Sequence, residues 1–404
     1  MRKLRITSTR LKRVPVAVVA CAGLTAIAIG LAGPANADPT TTYVTVGSDT
    51  IQDVMNQFVT DEFPGQIGSW DAVNPVTSAA HEDITPKPGC SMTRPNGSGE
   101  GLSALRKSIN PSTTATQLAD PPEPGCVDFS RSSSGPGSNA SATGALQYVP
   151  FALDAVATAT GPATAVGGAT PTAITHADDF TLGSLTTPGA LIKLYRDCAR
   201  VTVDGVTYDP AIPAAAGTQQ IHLYVPQAGS GTRNFWASTL GFSATTLPSC
   251  VHDTTVGSGV PVEEHDGTVY AADADALGPF SIAQFLSQSN GHHDRRHNVA
   301  IHSLNPAATG GSPVAPTVGG SLNELYPITR EVYDIVKRTR ITPGSADFDP
   351  TLAALLSGSS SQLCQDEFTI IGFGFATLDD SPLGHSCGAV TSDLRAFDPT
   401  SNPV

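Results

Sequence analysis

Three times along this chain a Gly/Ser turn is followed by an apolar repeat of three to four residues, and twice a β-branched or apolar run leads into the turn. Thr41–Val46 leads into Gly47-Ser48-Asp49, after which Ile51, Val54, Met55, Phe58 and Val59 recur at helical spacing. Gly97-Ser98-Gly99-Glu100-Gly101 precedes Leu102, Leu105 and Ile109 on one helical face. Ile221-His222-Leu223-Tyr224-Val225, then Gly229-Ser230-Gly231-Thr232, precedes Phe235, Trp236 and Leu240. Strand, turn, helix in that order predicts an α/β chain with helices laid on a sheet. Further strands are expected at Tyr148–Thr158, Tyr333–Lys337 and Phe368–Phe375, with Pro-, Thr- and Gly-rich surface loops at 111–125, 157–179 and 305–321. Hydrophobic residues make up 40% of the 404, enough for a sizeable core, while 39 Gly and 32 Pro imply many turns.

Such turns carry chemistry. The first backbone N–H groups of a helix lack intrahelical partners, and the helix dipole is positive there. Gly lets a ligand approach the main chain, and Ser or Thr adds hydroxyl donors, so an anion can be held without a lysine. One Gly/Ser turn is ordinarily only a helix cap; three become a site if the fold converges them. The formal charge of −14 argues against nucleic acid, whose phosphates require clustered Lys and Arg.

The first 37 residues read as an export signal. Arg2, Lys3, Arg5, Arg10, Lys12 and Arg13 precede an apolar run from Val14 to Leu31, and Ala35-Asn36-Ala37 supplies a small-residue cleavage site. Val18-Val19-Ala20-Cys21 loosely fits a lipidation box, although the apolar stretch continues past Cys21. Cleavage after Ala37 leaves 16 basic and 36 acidic residues and six cysteines: Cys90, Cys126, Cys198, Cys250, Cys364 and Cys387. An even count in an exported chain points to disulfides, for which 15 pairings exist; sequential pairing is the simplest. The expected location is secreted, with retention at the cell surface as a variant of it.

In order along most of the chain, these segments resemble the phosphate-binding proteins of ABC importers, which have the type II periplasmic-binding-protein fold. Gly47-Ser48-Asp49-Thr50-Ile51 is similar to that family's opening turn, and Gly97–Gly101 to its second, serine-bearing turn. Val127-Asp128-Phe129-Ser130-Arg131-Ser132-Ser133 resembles the segment before the first crossover, and Gln147–Val156 the first hinge strand. Gly229-Ser230-Gly231-Thr232 matches the most recognisable binding turn; Ala276–Phe280 and Tyr326-Pro327-Ile328-Thr329 resemble a second-lobe strand and the return crossover.

The resemblance implies a two-lobed α/β fold with two hinge crossovers: lobe 1 from 38–152 and 326–404, lobe 2 from 153–325. It also implies a small oxyanion, phosphate above all, held between closing lobes by Thr50, Ile51, Ser98, Ser133, Ser230, Gly231 and Thr232. Two positions depart from the pattern. Ser133 stands where the family has an Asp that accepts a proton from hydrogenphosphate, and Val225-Pro226-Gln227-Ala228 lacks the family's Arg. Arg131 or Arg233, which flank matching segments, is expected to supply the guanidinium, whose planar fork suits a tetrahedral oxyanion. The implied partner is an importer permease; the chain is expected to act as a monomer without a cofactor or a metal, and without catalysis.

Other readings are weaker. Ser98 and Ser230 lie in Gly-rich turns, but neither sits in G-x-S-x-G, so a serine hydrolase has little support even with His222 nearby. His292, His293 and His297 are dense in imidazole, yet Arg295 and Arg296 would repel a cation, which favours a solvated loop. Glu263, Glu264, Asp266, Asp273 and Asp275 likewise read as a solvated acidic loop. The two departures leave a third alternative: a wall or surface protein of the same fold that has lost its ligand.

Overall fold

The computed structural model describes residues 41–113, 118–378 and 383–397; the export signal and Cys21 lie outside them. Among the described residues, no helix is long and apolar enough to cross a membrane. The elements that position the site are β1 (Tyr43–Gly47), α1 (Gln52–Glu62), β2 (Ile67–Ser69), α2 (Ser98–Ile109), β3 (Phe129–Ser132) and β4 (Leu146–Thr160). After these come α3 (Ala190–Asp197), β5 (His222–Tyr224), α4 (Gly231–Leu240), β6 (Val251–His252), β7 (Ala276–Ser281), α5 (Ile282–Ser289), β8 (Thr329–Lys337) and α6 (Glu367–Gly372).

Their strands form one continuous sheet in the order β6-β5-β7-β4-β8-β3-β1-β2. The two ends are parallel blocks: β1 pairs in parallel with β2 and β3, and β5 with β6 and β7. The middle is antiparallel, because β4 and β8 cross from one block to the other. All fifteen residues of β4 are buried, so its sequence is nearly continuous in apolar residues rather than alternating. This is the expected two-lobed α/β architecture with two crossovers.

Helix formation follows the apolar spacing. Val54, Met55, Phe58 and Val59 of α1 are buried, as are Trp236 and Leu240 of α4. Trp236 meets Tyr195 of α3 edge to face, with ring centroids 5.7 Å apart, a favourable aromatic arrangement. Disulfides join Cys90 to Cys126, Cys198 to Cys250 and Cys364 to Cys387, the sequential pairing.

Two expectations about local structure fail. Phe368–Phe375 is not a strand: Glu367–Gly372 is helix α6, capped by the Asp366 carboxylate, which accepts the Thr369 N–H. Ile370 and Phe373 are buried while Phe368 and Ile371 face solvent, a spacing of three that is helical rather than alternating. The loop expected at 157–179 begins only after Thr160, because β4 continues along β7 through residues 156–159. The loop at 305–321 holds one short hairpin strand, Thr317–Val318, and four residues of the 111–125 loop lie outside the described residues.

One buried acid in the sheet has a measurable consequence. Asp334 on β8 lies opposite Arg131 on β3, is fully buried, and neither carboxyl oxygen has a hydrogen-bond partner among the described residues. Burial pushes its carboxyl up to about 8 from 3.8, with the Arg131 charge pulling the other way. Between those two values the folded chain holds a proton that the unfolded chain releases, so stability falls as pH rises through this window and levels off above it. Asp334→Asn is expected to remove that slope and raise the thermal midpoint at pH 8 by at least about 1 °C. Identical midpoint-against-pH curves for the two proteins would refute the assignment.

Candidate functional site

The three Gly/Ser turns meet. Gly99 N–H donates to Gly229 C=O at 2.8 Å, joining the second turn to the third. Thr50 Oγ1 lies 3.4 Å from Thr232 Oγ1, joining the first to the third. Ser98 Oγ accepts the Ser133 N–H at 3.1 Å and lies 3.4 Å from Ser133 Oγ. Both hydroxyls press on Gly231, where an added Cβ would stand 2.2 and 2.3 Å from them. Thr50, Ser98, Ser133, Ser230 and Thr232 are all buried to 2% exposure or less.

Each turn places its residues for a local reason. Ser230 caps α4, its hydroxyl accepting the Arg233 N–H at 3.0 Å, which leaves Gly231 and Thr232 in the first turn with amides aimed outward. Ile51 stands at the N-cap of α1 with its side chain in the core. Gly97 precedes α2 at φ +111°, a conformation that favours glycine.

Neither arginine expected from the sequence faces this cluster. Arg131 is fully buried and holds β1 and β2 together: its guanidinium donates to Trp70 C=O (2.5 Å), Ser69 Oγ (2.9 Å), Ser48 C=O and Thr45 C=O. Burial pulls its pKa down to about 10. Arg233 turns away, donating to Asp253 (2.7 Å), Ala244 C=O and Pro226 C=O.

The guanidinium at the cluster is Arg330, on β8. Its Nη1 donates to Ser133 C=O at 3.1 Å, and Nη2 lies 3.4 Å from Thr50 Oγ1. Asp154, directly opposite on β4, receives Nε at 2.9 Å and Nη2 at 2.8 Å. The other oxygen of Asp154 accepts the Ser281 hydroxyl (2.8 Å) and the Ala283 N–H (3.1 Å), anchoring α5.

The acidic segment read as a solvated loop also needs correction. Glu264 is 2% exposed and its carboxylate reaches the centre of the cluster. Oε1 accepts the Thr50 hydroxyl at 3.0 Å and the Thr232 N–H at 3.2 Å. Next to it, His265 Nε2 lies 2.9 Å from Thr50 Oγ1, and Ser281 N–H approaches His265 Nδ1 at 3.4 Å, leaving Nε2–H to donate to the threonine. Burial alone would raise the Glu264 carboxyl, but hydrogen bonds from His265 and Thr232 and the Arg330 charge outweigh it and hold the group at about 2. It is a buried, ionised carboxylate. Asp273 is not free either: it pairs with His222 at 2.7 Å. His292 stacks on Phe373 with centroids 4.1 Å apart.

Arg330, Asp154, Glu264 and His265 were not assigned a role from sequence. A charged residue inside each apolar crossover run, Asp154 in Leu153-Asp154-Ala155 and Arg330 after Pro327-Ile328-Thr329, is a signal that could have found the first two. Nothing in the Glu263–Asp266 stretch distinguishes an inward carboxylate from an outward one.

Closeness of the turns sets a test. A Cβ at Gly97 would lie 2.8 Å from the Gly229 carbonyl oxygen, in addition to the strained φ. Gly97→Ala is expected to break the Gly99–Gly229 bond and lower stability by roughly 1–3 kcal/mol. Gly372→Ala, whose Cβ meets nothing within 4 Å, is the neutral control. Equal denaturation midpoints for the two variants would refute the close approach.

The sequence matches the PBP superfamily domain over residues 32–357. No curated protein matches it. Among solved structures, it is similar to an ABC-type phosphate transport receptor from Vibrio cholerae, at 15% identity over 83% of this chain and 99% of that one, TM-score 0.45. It is also similar to a phosphate-binding protein from Stenotrophomonas maltophilia, at 14% identity over 83% of this chain and 90% of that one, TM-score 0.38. By the family match, which spans most of its length, the chain belongs to the PBP superfamily.

Proposed function

We propose that this protein is an exported solute-binding protein for a small oxyanion, phosphate or a close analogue. The anion would sit where the Thr50, Ser98 and Thr232 turns meet. One observation carries the reading: the donors gathered there already close on an anionic oxygen, that of Glu264. Hydroxyls, a helix N-terminal amide and one guanidinium are the groups that favour an oxyanion over a cation or an apolar solute. The mechanism is hinge closure about β4 and β8, with lobe 1 taken as 38–152 plus 326–404 and lobe 2 as 153–325. Thr50, Ile51, Ser98 and Ser133 would come from the first lobe, and Ser230, Gly231 and Thr232 from the second. Closing would replace the water around the anion with fixed donors, whose hydrogen bonds strengthen as solvent leaves. An importer permease is the implied downstream partner, with the protein secreted or retained at the cell surface.

Ser133 offers a hydroxyl where a carboxylate would be needed to demand a protonated anion, so phosphate and sulfate are expected to compete. Calorimetric titration of the purified protein with phosphate should give saturable heat at millimolar concentration or below. Thr50→Val should weaken that binding at least tenfold, and sulfate should displace the phosphate. No heat from either anion would overturn the reading for the wild-type chain.

A further inference from the structure

Glu264 takes two of the donors that the proposed solute would use. Its Oε1 engages Thr50 Oγ1 and Thr232 N–H, two donors on opposite sides of the cluster. It is the only oxygen of that carboxylate so engaged: Oε2 is buried and has no hydrogen-bond partner among the described residues. A tetrahedral oxyanion presents four oxygens where a carboxylate presents two. Consistent with that shortfall, Ser98 and Ser133 turn to each other rather than to the carboxylate.

The backbone beside it is built to deliver this side chain. His265 has φ +55°, a left-handed conformation that is costly for a non-glycine residue and persists only where the surroundings enforce it. Those surroundings are interactions from both sides of the cluster. Asn96 Nδ2 donates to Glu263 Oε2 at 3.0 Å, and Gln227 Nε2 donates to Asn96 Oδ1 at 3.0 Å. Gln288 Nε2 donates to His265 C=O at 3.1 Å, Gln284 Nε2 to Thr50 C=O at 2.8 Å, and Arg295 Nη2 reaches Asp49 at 3.0 Å.

We propose that Glu264 is a tethered internal ligand, whose carboxylate fills the oxyanion seat and holds the cleft closed without solute, so that a free oxyanion binds only by expelling it. The proposal rests on the oxyanion reading of the site. A tethered group competes at an effective concentration in the millimolar range or above, with no loss of translational freedom on binding. The apparent affinity for a free anion is the intrinsic affinity multiplied by the fraction of protein that is open. Two like charges cannot share the seat, so the solute and Glu264 exclude each other.

The test compares wild type with Glu264→Ala by phosphate calorimetry and by solution scattering. Removing the carboxylate should tighten phosphate binding at least tenfold. It should also enlarge the radius of gyration of the phosphate-free protein, with added phosphate restoring the compact form. Weaker phosphate binding by the variant would overturn the proposal and make Glu264 part of the anion's own shell. A variant as compact as wild type without phosphate, binding phosphate no more tightly, would overturn it while leaving the oxyanion reading intact. A variant that opens yet gives no heat with phosphate or sulfate would keep Glu264 as the closing group and remove the oxyanion reading. Should the alanine variant fail to fold, Glu264→Gln keeps the shape and removes the charge; tighter phosphate binding is again expected, and unchanged or weaker binding overturns the proposal.

Discussion

Asp154 and Arg330 face each other from the two strands that cross the molecule, and both are almost completely shielded from water. Much of the site hangs on this pair. Through Arg330 it reaches Ser133 C=O and approaches the Thr50 hydroxyl; through Asp154 it takes the Ser281 hydroxyl and the Ala283 amide at the start of α5. A buried ion pair adds little net stability compared with apolar residues of the same volume, because both charges lose their hydration. What it supplies is direction: Arg330 also reaches Ser133 and Thr50, and Asp154 also takes Ser281 and Ala283, so the two strands, the first turn and α5 hold one arrangement. Placed where β4 and β8 pair, the ion pair links the two crossing strands to Thr50 and Ser133.

The electrostatics of the site run against those of the molecule. The chain carries −14 overall, yet around the Glu264 carboxylate the cluster gathers hydroxyls, a helix amide, the His265 imidazole and the Arg330 guanidinium. Local dipoles outweigh the global field at short range because the site is buried and the surface charges are screened over about 10 Å. Glu264 lies among those dipoles. Burial should favour its neutral form, and the surrounding donors nonetheless keep it ionised.

Arg131 and Arg233 illustrate how a plausible sequence reading and a structure part company. Both flank segments that resemble binding turns, and both guanidiniums are directed to carbonyl oxygens of neighbouring strands and loops. Arg131 lies on β3 between β1 and β8, so its side chain is enclosed by the sheet and the strand ends around it. A guanidinium with five donors is well suited to gathering strand-end carbonyls that would otherwise be buried without partners. Sequence proximity to a motif says nothing about which side of a strand or helix a long side chain leaves from.

The periodicities of this chain determined its α/β class and the helices after each Gly/Ser turn, because local spacing of apolar residues reports which face of an element is buried; the two crossovers were legible only through the family resemblance. Where two periods compete over a short apolar run, as at Phe368–Phe375, that logic is ambiguous, and a capping Asp decided for helix. The turns, with Thr50, Ser98, Ser133 and Thr232, were legible as anion-suited because the chemistry of a helix N-terminus is local. That they meet, that Arg330 rather than Arg131 or Arg233 accompanies them, and that Glu264 turns inward were settled only by the tertiary structure. Each depends on contacts between residues as many as 280 positions apart, such as Thr50 and Arg330, and such contacts leave no periodic trace in the sequence.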